Sequence, residues 1–112
     1  MHQNTQFRNA EGVSDPSERE SPVSVLGTLA DSESRAILEA TATEPKSIAE
    51  LVDECRLSTA TAYRKVDALV DIGLLDERVR IRSDGRNAAE YAMKPGEITI
   101  TLDDSEGLRI EY

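Results

Sequence analysis

Residues 47–75, SIAELVDECRLSTATAYRKVDALVDIGLL, decide the fold. Ser47 and Glu50 stand three apart ahead of an apolar run, the spacing at which the two side chains satisfy each other's backbone amides and open a helix. Ile48, Leu51 and Val52 then share one face at helical spacing, and the pattern stops near Cys55. Leu57 anchors a tight connection, and Ser58 is placed to cap a further helix from about Thr59 to Ile72. Gly73 is a natural C-terminal stop. A short capped helix, a tight turn and a longer helix make a helix-turn-helix unit.

Outward from this unit, residues 1–20 are polar and without period, and read as a disordered leader. Ser21-Pro22 supplies a cap and the residue best tolerated at a first helical position, so a short helix is expected through Val23, Leu26 and Leu29. Asp31 or Ser32 can cap a second helix, with Ala36, Ile37 and Ala40 as a narrow apolar stripe. That helix stops before Pro45. After Gly73 the period changes to two. Val79 and Ile81 alternate with Arg78, Arg80 and Arg82, Ser83-Asp84-Gly85 is turn chemistry, and Ala89 to Met93 alternates again, giving a hairpin with a basic tip. A second alternating pair follows, Ile98–Leu102 and Leu108–Tyr112, with Asp103 to Gly107 as its loop. The expected fold is α+β: a winged helix-turn-helix, mainly α with about four helices, with a wing hairpin and a C-terminal β-hairpin. The expected division is a leader over 1–20, the winged helix-turn-helix domain over 21–95 and the final hairpin over 96–112.

Composition removes several function classes. The 112 residues include no Trp and one Phe, so a single modest core must come from Leu, Ile, Val and Ala. No apolar run approaches the roughly 20 residues of a membrane span, and no hydrophobic stretch follows the start, so a cytoplasmic protein without membrane contact is expected. Cys55 is the lone cysteine and His2 the lone histidine, so neither a disulfide nor a metal site is expected. Cys55 reads as a small buried hydrophobe. With no nucleophile–histidine pair and no phosphate-cradling glycine loop, neither catalysis nor a cofactor is expected.

Charge is unevenly spread. The chain carries a formal −9, yet residues 56–94 hold eight cations against six carboxylates. A strongly acidic remainder suits a salt-rich cytoplasm. Along the helix from Thr59, counting 100° per residue turns Ala62, Val66 and Leu69 to the core and Arg64 almost opposite. Ala60, Thr61 and Ala68 lie beside Arg64, and Tyr63 on the flank. No carboxylate occurs on the outward face before Asp67, as an approach to base edges and phosphates requires. A major groove admits one such helix. Arg78, Arg80 and Arg82 share one face of the wing, with Arg86 and Asn87 just past its turn. Such a face is poor electrostatics unless an anion neutralises it, and tip arginines suit phosphates or a minor groove.

The stretch LSTATAYRKVDALVDIGLL, Leu57 to Leu75, with ADSESRAILEAT, Ala30 to Thr41, resembles the winged helix domain of ArsR-type and related archaeal transcription regulators; the likeness spans residues 23–94. The resemblance implies that Ser58, Thr59, Thr61, Tyr63, Arg64 and Lys65 contact double-stranded DNA, with Arg80, Arg82 and Arg86 from the wing. It also implies a homodimer on a roughly palindromic operator. Metal-sensing members use Cys- or His-rich sites, which this chain lacks, and no small-molecule effector site is legible. The family often closes its dimer with a C-terminal helix, whereas this chain ends in strands. Ile98, Ile100 and Leu102 share one face of their strand, and Leu108, Ile110 and Tyr112 one face of theirs; an isolated hairpin with an apolar face needs a cover. Two covers stay open: the first helix of the same chain, or a second subunit. In the second case Val23 and Leu26 join these six as candidate dimerisation residues. A winged-helix docking module in a transcription complex, without specific DNA reading, is the alternative function.

Overall fold

The computed structural model describes residues 21–112, so the leader and His2 lie outside the described residues. The described residues divide into two compact units, Thr28–Pro95 and a second formed by Gly96–Tyr112 with residues 21–27. Helix α1, Pro22–Ala30, runs across that boundary; Val25 is buried on it, while Val23 is exposed and Leu26 half-buried.

The larger unit holds α2 (Ser32–Thr43), α3 (Ile48–Cys55), α4 (Thr59–Asp71), β1 (Leu75–Ile81) and β2 (Asn87–Met93). Each helix begins where a side chain can take up an orphan amide. Asp31 accepts from the Ser34 amide at 2.9 Å, Ser58 accepts from the Thr61 amide at 3.1 Å, and Ser47 and Glu50 form a complete capping box. At its other end α4 closes on Gly73, in the left-handed region at φ 83°. There the Gly73 amide donates to Val70 O and the Leu74 amide to Leu69 O, satisfying the last carbonyls.

The core is aliphatic. Ile37, Leu51, Ala62, Val66 and Leu69 are fully buried, and Leu57, Ile72, Leu74, Leu75, Tyr91 and Ala92 close around them. Ala62, Val66 and Leu69 are the residues helical counting turned inward. The stripe expected on α2 is corrected: Ser34, Ile37, Leu38 and Thr41 are buried, while Ala36 and Ala40 are half-buried. The larger side chains take the inner positions. Burial of the two polar residues is tolerated because both hydroxyls donate, Thr41 to Ile37 O at 2.8 Å and Ser34 to Asp31 at 2.9 Å. Cys55 also departs from expectation, being half-buried at the end of its helix.

β1 and β2 pair antiparallel with Leu75 opposite Met93 and Ile81 opposite Asn87. The strand begins earlier than its arginines, at Leu75. A third piece of sheet is a single residue: Lys46 bridges to Tyr91, with N–H···O bonds of 2.9 and 2.8 Å in the two directions. The segment between α2 and α3 is thereby tied to the root of the hairpin. This unit is an α+β winged helix-turn-helix.

In the smaller unit β3 (Thr99–Asp103) and β4 (Gly107–Glu111) form a second antiparallel hairpin. Its turn is built on Asp103, whose carboxylate accepts from the amides of Ser105 and Glu106. These bonds, Glu106's first, hold the carboxyl below the usual range. Ile100 faces Ile110 and Leu102 faces Leu108, so the apolar residues do gather on one face. Ile98 and Tyr112 lie just beyond the paired residues. Among the described residues, no helix is long and apolar enough to cross a membrane.

Candidate nucleic-acid interface

The outward face of α4 begins at its cap. Ser58 and Thr61 hold each other: besides capping the Thr61 amide, the Ser58 hydroxyl donates to Thr61 Oγ1 at 2.9 Å. Thr61 is half-buried, which leaves Thr59, Ala60, Tyr63 and Arg64 as the exposed residues of the first two turns. Tyr63 is 52 % exposed, too open for a packing residue. Arg64 makes no ion pair among the described residues. Its guanidinium is available to an outside anion.

Lys65 stands differently. Its ammonium lies 2.8 Å from Asp31 and 3.7 Å from Glu33, with a side chain only 17 % exposed. Asp31 thus caps α2 and binds α4 at once. The Lys65 hydrogen bond and then the Ser34 amide lower its carboxyl to about 2. In this structure Lys65 ties the end of α4's exposed face to the start of α2.

The hairpin register separates two faces. Asp76, Arg78, Arg80, Ala88, Glu90 and Ala92 share one, and Glu77, Val79, Ile81, Asn87, Ala89 and Tyr91 the other. Arg82 and Arg86, bonded to each other through the backbone at the turn, continue the arginine face by alternation. Asn87 lies on the opposite face, beside Ile81. The anion expected to neutralise the arginines is partly internal. Glu90, with a side chain only 10 % exposed, meets Arg80 at 2.8 Å. Arg80 also acts on Glu50, whose carboxyl is lowered first by the Ser47 amide and further by Lys46 and Arg80. Arg78, Arg82 and Arg86 make no ion pair among the described residues. At the tip the Arg86 amide donates to Asp84 and Gly85 takes φ 85°, so the turn is ordered by local chemistry.

Two features of this region escape sequence reading. Arg56 ends α3 in the left-handed conformation, φ 58° and ψ 52°, the sole non-glycine with positive φ among the described residues. It places an exposed cation in the turn just before Ser58. Lys46 is buried, held by Glu54 at 2.8 Å and Glu44 at 3.2 Å, and these two bonds raise its ammonium above the usual range. A pairwise count of cations cannot tell such a buried Lys from a free one. No cluster of His, Cys, Asp and Glu able to hold a metal occurs among the described residues.

An exposed helix after a tight turn, followed by a hairpin with free arginines, defines a helix-turn-helix module with a basic wing. Over residues 29–78, from the end of α1 into β1, the chain is similar to the family described as helix-turn-helix domain. No curated protein matches the chain.

Proposed function

We propose that this chain is a sequence-specific regulator of transcription that binds double-stranded DNA as a homodimer, of the ArsR-like archaeal type. One observation carries the reading. In a chain of formal charge −9, the exposed first half of α4 and the wing tip hold Arg64, Arg82 and Arg86 with no ion pair among the described residues. Guanidinium groups gathered on one surface repel one another until an outside anion such as phosphate neutralises them. Helix α4 enters the major groove, with Thr59, Tyr63 and Arg64 facing base edges and Ser58 and Thr61 shaping its start. Arg82 and Arg86 reach phosphates or the adjacent minor groove. Arg80 joins them when Glu90 releases it. Lys65 and Asn87 complete the interface, Lys65 chiefly by fixing α4. The setting is the cytoplasm of a salt-loving archaeon, a reading supported by the acidic balance. No effector or cofactor enters it.

Fluorescence anisotropy with DNA from upstream of the protein's own gene, across a salt series, tests this. Log affinity should fall with log salt, and combined Arg80→Ala, Arg82→Ala should weaken binding and make the slope shallower by about 1 per lost phosphate contact. Arg64→Ala should abolish the preference for the specific fragment over random DNA. Weak binding indifferent to these arginines, on this and on other genomic fragments, would overturn the reading.

A docking module is the second reading, and a specific observation favours it. Val79 is 63 % and Ile81 79 % exposed on the wing face opposite the arginines. In that case Val79→Ser, Ile81→Ser would abolish a protein contact and leave DNA binding intact.

A further inference from the structure

β3 is bonded to β4 on one side only, and no backbone hydrogen bond among the described residues reaches its other side. Open edges are ordinarily blunted by a lysine, a proline or a bulge, because unpaired amides and carbonyls template another strand. β3 has none of these. From Ile98, the residue just before the strand, to Leu102 the chain reads ITITL, with no charge between Glu97 and Asp103. β4 is guarded, carrying Arg109 and Glu111. The apolar row of β3 is also uncovered: Ile100 is 50 % and Leu102 77 % exposed.

We propose that β3 pairs antiparallel with β3 of a second copy, about a two-fold axis through Ile100. The sequence itself argues for this occupant. Read by class, Ile98-Thr99-Ile100-Thr101-Leu102 is a palindrome, so the axis sets Ile98 against the partner's Leu102 and Thr99 against the partner's Thr101. An isologous contact must be self-complementary, and this palindrome meets that condition by setting like residue class against like across the axis, which pairing with a foreign strand would not call for. A slip of one residue sets isoleucine against threonine and turns each apolar row to the wrong face. Moving the axis to Thr101 sets Thr99 against Asp103. At the ends Glu97 meets the partner's Asp103, a like-charged pair. Asp103 is already committed to the amides of Ser105 and Glu106 and to Arg109 at 3.5 Å, which softens the repulsion. The product is a four-stranded sheet with one continuous apolar face. This deepens the homodimer of the proposed function by naming its surface, yet the pairing itself does not depend on DNA.

Sedimentation equilibrium of the full chain, without DNA, tests it. Wild type should be dimeric at micromolar concentration, and more tightly so in added salt, because each copy carries −9. DNA binding has the opposite salt dependence, so failure of one reading is separable from failure of the other. Thr99→Lys with Thr101→Lys sets like charges against each other across the axis and should weaken the dimer by roughly tenfold or more. Thr99→Glu with Thr101→Glu should do the same, with residue 101 now matched to Arg109 in its own hairpin. Thr99→Lys with Thr101→Glu pairs opposite charges twice and should restore or tighten the dimer. Circular dichroism checks that all three fold alike. A monomeric wild type, or a dimer indifferent to the charge pattern, would overturn the proposal.

Discussion

Glu90 shows how one carboxylate can set the strength of an interface it does not join. It is nearly buried, and the cation it meets, Arg80, is 59 % exposed. A phosphate and Glu90 therefore compete for the same guanidinium. A buried charge left unpaired is costly, so Arg80 leaves Glu90 only at a free-energy cost. Removing the charge while keeping the shape should release Arg80. We expect Glu90→Gln to bind DNA more tightly at low salt, with a log–log salt slope steeper by about 0.9, the value for one added phosphate contact. The gain should vanish in an Arg80→Ala background. An unchanged slope would mean that Arg80 stays far from phosphates, leaving Arg82 and Arg86 as the wing's contacts. Nothing in the sequence could reveal this competition: alternation places Arg78, Arg80 and Arg82 on one face, but the register that brings Glu90 there depends on the turn closing at Arg82 and Arg86.

The elements themselves were legible where their causes are local. Ser47 with Glu50, Ser58, and Gly73 act within one turn of chain, so the helix-turn-helix can be read from its caps. What could not be read are contacts across distance. Lys46 forms a strand of one residue, which leaves no period. Lys65 meets Asp31 from 34 positions away and so reads as a free cation of the exposed face. The turn between α3 and α4 has a conformational cause that composition hides. Arg56 takes the left-handed conformation that most turns of this shape give to glycine. That conformation costs a side-chain-bearing residue about 1–2 kcal/mol, and glycine's greater unfolded freedom offsets part of the relief. We expect Arg56→Gly to stabilise the fold by about 0.5–1 kcal/mol, read as a higher urea midpoint with unchanged slope. A lower midpoint would show that the aliphatic stem of Arg56 contributes packing that outweighs its strain. Any loss of DNA affinity in the same variant would add Arg56 to the interface.

For the whole chain, acid acts through two opposed effects. The formal −9 makes the folded state repel itself, and acidification towards the isoelectric point near 4.5 relieves that repulsion. Against this, three carboxylates are held low in the folded state: Glu50 by the Ser47 amide, Asp103 by the Glu106 amide, and Asp31, at about 2 instead of 3.8, by the Lys65 hydrogen bond first and the Ser34 amide second. A carboxyl lowered on folding stabilises the protein above its unfolded pKa, and that contribution is lost as pH falls through the folded value. Repulsion eases as the net negative charge falls on the way to the isoelectric point. Stability should therefore rise slightly or stay level from neutrality to about pH 5, then fall steeply between about pH 4 and 2. Lys65→Gln removes the largest cause of Asp31's depression. It should lower stability at neutral pH and flatten the acid limb, because Asp31 then titrates nearer 3.8 in both states. Urea unfolding of both proteins across the pH range would check this. The curves should approach each other at the acid end, where Asp31 is protonated in either protein. A constant separation down to pH 2 would mean that Lys65 stabilises by packing alone, and that the link between α2 and α4 is not electrostatic.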